Sequence, residues 1–309
     1  MSSILITGGG GFQGSHLVES LIAQGHRVSI LNTRSKTALK NLAAVIDKAN
    51  FIWGNITDKE LVEKSVRGKD AVFHMAGLIN VDESLDNPAS FFEVNVLGTQ
   101  NVLESVKKHA SRLIYISSCE VYGDGHNLKE GEKLSEFSEM RPSSPYASSK
   151  AAADGMCFSY FKSFGTDASI VRPFNVFGER QKSGKFGALI PILVSKALLG
   201  EDLTVFGDGS STRDYTYISD IVRAYNLVLN NPSLKGRAVN FASGVNVSVK
   251  NIAQYIANKF NVNVVHAPAR PGEVSRPPAD ISFAKSLGYE PEISIWEGID
   301  RYINWAKNQ

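Results

Sequence analysis

Thr7-Gly8-Gly9-Gly10-Gly11-Phe12-Gln13-Gly14 is the stretch that decides the fold. It follows the apolar run Ile4-Leu5-Ile6 and precedes a segment with Leu17, Val18, Leu21 and Ile22 at helical spacing. It therefore reads as strand, tight turn and helix. Gly8, Gly11 and Gly14 form G-x-x-G-x-x-G. Glycines at this spacing allow a tight turn, close backbone approach to a pyrophosphate, and close packing of helix on strand. The anion then rests on exposed amides at the positive helix end. Gly8, Gly11, Phe12, Gln13 and Gly14 are accordingly expected to bind a dinucleotide.

Outward from this loop, short β-branched runs alternate with longer amphipathic stretches. Strands are expected at Ile4–Thr7, Arg27–Leu31, Asn50–Trp53, Ala71–His74, Arg112–Ser117 and Ala168–Val171. A long helix is expected from about Pro88 to His109, with Phe91, Val94, Leu97, Val102, Leu103 and Val106 as its apolar positions. Another should open near Pro145, a residue suited to a first helical turn. This is the pattern of an α/β chain with a doubly wound parallel sheet of Rossmann type. After Arg172-Pro173 loops become frequent, which points to a smaller C-terminal α/β substrate-binding lobe and a cleft where the lobes meet. The expected division is 1–172, with 215–243 returning to it, and 173–309. Lys36–Lys48 is the least legible stretch.

The 309 residues, 43% hydrophobic and 21% charged, suit a globular chain with a large core. A formal net charge of +2 gives no electrostatic case for nucleic acid or a membrane surface as partner. Two cysteines, Cys119 and Cys157, are too few for a disulfide framework and suit a reducing compartment. The N-terminus has no basic segment followed by a long apolar one, and no apolar run reaches the roughly 20 residues of a membrane span. The chain is expected to be cytoplasmic, and no metal site is expected.

Tyr146 and Lys150 are one helical turn apart, so a helix sets phenol and ammonium on one face. A nearby cation stabilises phenolate, which makes Tyr146 a candidate base for an alcohol hydroxyl. At the end of the second strand, where an acidic residue commonly binds a ribose diol, stands Asn32, followed by Thr33 and Arg34. An amide still bonds hydroxyls, but it does not repel a 2′-phosphate, and Arg34 and Lys36 would attract one. NAD is the expected cofactor, with NADP left open.

Together these motifs resemble the extended short-chain dehydrogenase/reductase family, in particular its NAD-dependent nucleotide-sugar epimerases, dehydratases and decarboxylases. The likeness spans nearly the whole chain. Beyond the glycine loop it rests on His74-Met75-Ala76-Gly77, Asn95-Val96-x-Gly98-Thr99, Val121-Tyr122-Gly123 and Ser144-Pro145-Tyr146-x-x-x-Lys150. It continues through Arg172-Pro173-x-Asn175-Val176-x-Gly178, Phe206-Gly207-Asp208-Gly209-x-x-x-Arg213-Asp214 and Arg270-Pro271-Gly272-Glu273. The resemblance implies that Ser118, Tyr146 and Lys150 are catalytic. It implies that Ala76, Gly77, Asn95, Asn55 and Ile56 join Asn32 and Arg34 at the cofactor, Asn55 departing from the family's acidic residue beside adenine. Asn175, Arg213 and Arg270 would hold a substrate diphosphate, Phe206 would border the nucleotide base, and Glu273 would bind its ribose. A nucleotide-diphosphate sugar, with UDP-sugars favoured, is the implied substrate, and a homodimer the implied assembly.

In this family the common step makes a 4-keto sugar, and the residues beside Ser118 direct its fate. Here they are Cys119 and Glu120. Epimerases often carry small inert residues there. Glu120 resembles the glutamate of dehydratases and uronate decarboxylases, which can act on the acidified C5–H or assist its neighbourhood. Cys119 replaces the aspartate that protonates a leaving C6 hydroxyl in many 4,6-dehydratases. A thiol, with an ordinary pKa of about 8.5, is a weaker acid, which leaves room for a 5,6-elimination. The leading expectation is a dehydratase of 4,6- or 5,6-type; a 4-epimerase and a decarboxylase are the alternatives, and a non-catalytic nicotinamide sensor a remote one.

Overall fold

The apolar runs of the first half become parallel strands, buried on both faces except at the edge strand Asn50–Trp53. A computed structural model of the chain describes residues 1–184, 187–269 and 275–309. The six expected strands form as β1 (Ser3–Thr7), β2 (Arg27–Asn32), β3 (Asn50–Trp53), β4 (Ala71–His74), β5 (Arg112–Ile116) and β6 (Ala168–Pro173). β7 (Ala238–Phe241) completes a seven-stranded parallel sheet in the order β7-β6-β5-β4-β1-β2-β3. Ile4, Leu5, Ile6, Val72, Phe73, Leu113 and Ile114 are wholly buried, as strands covered by helices on both sides require. β1 pairs with both β2 and β4, so the strand order reverses there. At such a point the loops leaving the two central strands stand side by side and form a ligand crevice.

The helices along the first part of the chain are α1 (Phe12–Ala23), α2 (Lys36–Asn41), α3 (Lys59–Val66), α4 (Val81–Asp86), α5 (Pro88–Phe92), α6 (Gly98–His109) and α7 (Pro145–Phe164). The illegible Lys36–Lys48 stretch is α2, capped by the Ser35 hydroxyl on the Ala38 amide, with a single 3-10 turn at Ala43–Val45. The long helix expected over Pro88–His109 is not uniform. Glu93–Leu97 is a π-helical turn between α5 and α6. Its wider winding departs from the α-helical period, so Asn95 is buried while Leu97 is 54% exposed. An apolar position counted at uniform α-helical spacing thus faces solvent.

The chain divides into two compact units. The first comprises Met1–Val121, Pro142–Pro173 and Val222–Val239; the second comprises Tyr122–Arg141, Phe174–Ile221 and Asn240–Gln309. Residues 122–141, placed with the first lobe on sequence grounds, fall in the second unit. There the Leu134 amide donates to the Pro278 carbonyl, the Asp280 amide to Leu134, and the Tyr122 hydroxyl to Asn240 Oδ1 at 2.7 Å. The returning segment is Val222–Val239, shorter than the expected 215–243. The second unit holds short strand pairs: Leu203–Phe206 with Val264–Ala267, Thr212–Asp214 with Asn246–Ser248, and Val176–Phe177 with Thr216–Tyr217. Among the described residues no helix is long and apolar enough to cross a membrane.

Within the first unit, α7 is fixed to the sheet by a buried ion pair. Arg172 at the end of β6 donates from Nε to Asp154 Oδ2 at 2.9 Å and from Nη2 to Oδ1 at 2.8 Å. Ser117 after β5 donates its hydroxyl to Asp154 Oδ2 at 2.7 Å. Both charged residues are at most 5% exposed. Removing one charge strands the other in a low-dielectric interior, whereas replacing both by apolar groups removes the desolvation cost as well. Arg172→Leu should therefore lose about 3–5 kcal/mol in urea unfolding. The double variant Asp154→Leu/Arg172→Leu should lose clearly less than the single one. Equal losses would mean that the pair is not the fastener.

Candidate active site

The first unit carries the loop, the helix and the strand ends on which the sequence motifs fall. Gly8 adopts a left-handed φ of +74°, and a Cβ there would stand 2.7 Å from the Ala76 amide nitrogen. The loops after β1 and β4 thus touch backbone to backbone. A Cβ on Gly14 would lie 2.5 Å from the Gly8 carbonyl, so helix and turn also admit no side chain there. Gly11 precedes α1 without a side-chain cap. The amides at the start of this twelve-residue helix are a cradle of the size and polarity a pyrophosphate requires. The residues present fit a dinucleotide.

Asn32, a predicted cofactor residue, and Asn41, which the sequence did not mark, brace the glycine loop, while other predicted cofactor residues have partners of their own. The Asn32 Oδ1 accepts the Gly10 amide at 3.0 Å, and Asn41 donates to the Gly10 carbonyl at 3.1 Å. Gln13 accepts a hydrogen bond from the Tyr225 hydroxyl. Phe12 sits edge-on to His16 at 5.9 Å. Ile56 is 4% exposed, lies in the core, and faces Gly98, whose added Cβ would come within 2.6 Å of it. Asn55 folds onto the Thr57 amide at 3.2 Å.

Behind the β4 loop lies a chain of hydrogen bonds centred on His74. The Ala76 amide donates to the Thr7 hydroxyl at 3.2 Å, and this hydroxyl contacts His74 Nδ1 at 2.7 Å. His74 Nε2 contacts the Thr99 hydroxyl at 2.9 Å, which in turn donates to the Asn95 carbonyl. Since Thr99 gives its only proton to that carbonyl, it must accept from Nε2–H, and Nδ1 is left to accept from Thr7. His74 is therefore a neutral Nε2–H tautomer. Complete burial pushes its pKa down to about 3. Asn95 then bonds both backbone groups of Leu78, at 2.8 and 2.9 Å, and donates to the Ser149 hydroxyl at 2.9 Å. Ser149 donates to the Tyr146 carbonyl at 2.7 Å. Gly77 sits under this amide, where a Cβ would approach Asn95 Oδ1 to 2.8 Å. His74, Thr7, Thr99 and Ser149 are not singled out for function by the sequence. A buried polar side chain in an apolar strand was the available signal for His74.

Tyr146 and Lys150 lie on the first turns of α7, which starts with Pro145 and is capped by Ser144 on the Ala147 amide. Tyr146 is 8% exposed and meets Phe91 edge-on at 6.3 Å. Lys150 Nζ donates to the Ile116 carbonyl at 2.6 Å and lies 4.4 Å from the centre of the Tyr115 ring. Burial lowers its pKa to about 8, opposed by Cys157 and Asp154. Ser118 accepts the Glu120 amide at 3.2 Å, and Cys119–Tyr122 forms a 3-10 turn directly after β5. Cys119 is buried and Glu120 is partly exposed. Cys157 is a free thiol in the core, its pKa raised by burial.

The second unit contains a cavity of about 380 Å³ lined by Asn175, Phe206 and Arg213, three of the predicted substrate residues, together with Tyr215, Ile190 and Leu193. Asn175 Nδ2 donates to the Asp214 carbonyl at 3.0 Å. Arg213 donates to the Thr212 carbonyl at 2.8 Å. Asp214 beside it accepts the amides of Ser243, Gly244 and Ala279 and the Ser243 hydroxyl, so one carboxylate fixes two loops, while burial raises its pKa. Ile190 and Leu193 read as ordinary helical core residues, so nothing in the sequence marks them as cavity walls. Arg270 and Glu273, also expected at the substrate, lie outside the described residues.

Residues 4–242 match the model of the NAD dependent epimerase/dehydratase family. A putative UDP-glucose 4-epimerase of Methanocaldococcus jannaschii is 37% identical, the match covering 99% of this chain and 98% of the relative. A dTDP-glucose 4,6-dehydratase of Streptomyces niveus is 33% identical over 99% of this chain and 93% of its own length. Among solved structures, the UDP-glucose 4-epimerase of Thermotoga maritima, determined with UDP-glucose, superimposes with a TM-score of 0.92 at 29% identity, covering 99% of both chains.

Burial of His74 fixes how this unit responds to acid. The ordinary histidine pKa is about 6.5, so between that value and about 3 the unfolded chain holds a proton that the folded chain refuses. The stability contribution is complete above the upper value and is lost as pH falls towards the lower. One such group changes stability by at most about 1.4 kcal/mol per pH unit. Urea unfolding of the wild type and of His74→Gln at pH 7, 5.5 and 4.5 should show a smaller acid loss in the variant. Parallel losses would place the proton uptake elsewhere.

Proposed function

Because the chain belongs to the NAD-dependent epimerase/dehydratase family and is an NAD-dependent enzyme acting on nucleotide sugars, we propose that its reaction is a dehydration through a transient 4-keto sugar. The observation that carries this reading is Glu120, a carboxylate two residues beyond Ser118 on the short turn after β5. Bound NAD supplies a hydride acceptor that becomes a donor within the same turnover.

Tyr146 takes the proton of the sugar C4 hydroxyl, and the Lys150 ammonium stabilises the resulting phenolate. Ser118 hydrogen-bonds the oxygen that becomes the ketone. The ketone acidifies C5–H, and Glu120 takes that proton. The C6 hydroxyl then leaves as water. Cys119 corresponds in sequence to the proton-donating aspartate of many 4,6-dehydratases, so both 4,6- and 5,6-elimination belong to this reading. The cavity of the second unit suits the nucleotide end: Phe206 offers an aromatic face to a base, and the Arg213 guanidinium matches phosphate geometry. A UDP-sugar is the favoured substrate. Pairing into a homodimer is part of the same proposal, and Phe92, Leu97, Phe158 and Phe164 are exposed apolar side chains on or between α5 and α7.

The archaeal relative's description favours C4 epimerisation as the second reading. In that case Glu120 has no proton to take. Incubation with a panel of UDP- and dTDP-sugars should yield a product lighter by one water. Inversion at C4 without loss of mass would replace dehydration by epimerisation, and carbon dioxide released from a UDP-uronate would replace it by decarboxylation. Tyr146→Phe should lower kcat by about 10²–10⁴. Because burial brings Lys150 to a pKa of about 8, its charge is lost above that pH, and kcat/KM should fall there. Lys150→Arg should lack that alkaline limb.

A further inference from the structure

An ammonium taken out of water needs groups that replace its hydration, and Lys150 has few. It is 7% exposed, and among the described residues its one hydrogen bond is the donation to the Ile116 carbonyl at 2.6 Å. An ammonium has three N–H donors, so one carbonyl replaces only part of what water supplied. Nζ also stands over the Tyr115 ring, 4.4 Å from its centre. The chain brings the two together through ordinary periodicities. Alternation along β5 sets Leu113 and Tyr115 on the same side of the sheet, in one apolar cluster with Ala153 and Cys157 of α7. Lys150 precedes Ala153 and Cys157 by one and two helical turns, so it shares their helix face.

The ring of Tyr115, not its hydroxyl, makes this contact. Tyr115 is 1% exposed, and among the described residues its hydroxyl has no hydrogen-bond partner. Burial raises the phenol pKa well above its ordinary value, so Tyr115 stays neutral and does not pair with the ammonium as a phenolate. A neutral aromatic face attracts a cation through its quadrupole, more strongly where water is excluded. The other groups around Lys150 are less dedicated to it. Asp154 on α7 favours its charge, but this carboxylate already takes Arg172 of β6 and the Ser117 hydroxyl. Cys157 is a thiol whose pKa burial raises, so it brings no charge near neutral pH. His74 of β4, whose ring meets that of Tyr115 at 5.7 Å, is neutral, and Tyr146 lies one turn earlier on the same helix. An aliphatic side chain at position 115 would fill the cluster and offer the ammonium nothing.

We propose that Tyr115 is a positioning residue of the active site: its ring face seats the Lys150 ammonium and keeps it charged one helical turn from Tyr146. This rests on the role proposed above for Lys150 as the group that stabilises the Tyr146 phenolate. It concerns how that charge is kept in the interior, whatever becomes of the sugar afterwards. The sign follows from the buried setting. Removing the face disfavours the charged form further, so the charge of Lys150 is lost at a lower pH than in the wild type.

The readout is the titration of Lys150 itself, followed by nuclear magnetic resonance on enzyme isotope-labelled at the lysine ε-carbons. The Lys150 signal is the one absent from Lys150→Arg. Tyr115→Leu should move its pKa down by about 0.5–1.5 pH units, whereas Tyr115→Phe should titrate with the wild type. The alkaline limb of kcat/KM should move in the same way. Phenylalanine bearing successive ring fluorines at position 115 keeps the shape of the ring and weakens its face. The Lys150 pKa should then step down with each fluorine, which decides the matter even if the leucine variant does not fold. A Lys150 pKa indifferent to the fluorine count, or a phenylalanine variant that falls as far as the leucine one, would overturn the positioning role. If no nucleotide sugar is turned over, the reaction proposed above fails, while the titration still decides whether the Tyr115 ring holds the charge.

Discussion

Burial keeps His74 neutral, and a neutral imidazole has one donor and one acceptor. The neighbours of His74 use both. One side reaches through Thr7 to the Ala76 amide, at the loop that abuts Gly8. The other reaches through Thr99 to Asn95, and from there through Ser149 to the backbone of Tyr146. A single directed chain of hydrogen bonds therefore ties the cofactor cradle to the helix carrying the proposed base. Each link has one possible direction, so protonating His74 would set a donor against a donor at Thr7. The π-helical turn at Glu93–Leu97 serves the same chain by turning Asn95 inward.

A second constraint is electrostatic. Lys150 is held by the Ile116 carbonyl and the Tyr115 ring, with Asp154 one turn further along α7 and paired to Arg172. Burial weakens the ammonium, while Asp154 and Cys157 strengthen it. The balance brings its pKa to about 8, which suits the phenolate-stabilising role proposed for it. The same carboxylate takes the Ser117 hydroxyl, so the turn holding Ser118, Cys119 and Glu120 leaves β5 from a fixed point.

Much of this is legible in the amino-acid order alone. Glycines 8 and 14 announce backbone contacts that exclude a Cβ, and continuous apolar runs announce strands covered on both faces. Tyr146 and Lys150 are found by helical spacing after Pro145. Other features leave no such trace, each for a physical reason. β7 is a four-residue strand whose polar Asn240 bonds Tyr122 and the Leu134 carbonyl, so its run is broken. The π turn leaves the apolar count of its helix nearly unchanged. Residues 122–141 belong to the second unit through backbone bonds to positions beyond 270, and such pairing has no local signature. Ile56, expected beside the cofactor, is held in the core by Gly98 and by Asn101 at its carbonyl.

On the proposed mechanism Tyr146, Lys150 and Ser118 carry out the oxidation, and Glu120 is where the readings part, because a base at C5 has work only when C5–H is broken. The most direct measurement is the fate of a deuterium label placed at C5 of a UDP- or dTDP-sugar that the enzyme turns over. The wild type should lose the label to solvent, and Glu120→Gln should retain it while still binding NAD. A label kept at C5 through complete conversion by the wild type would contradict the account.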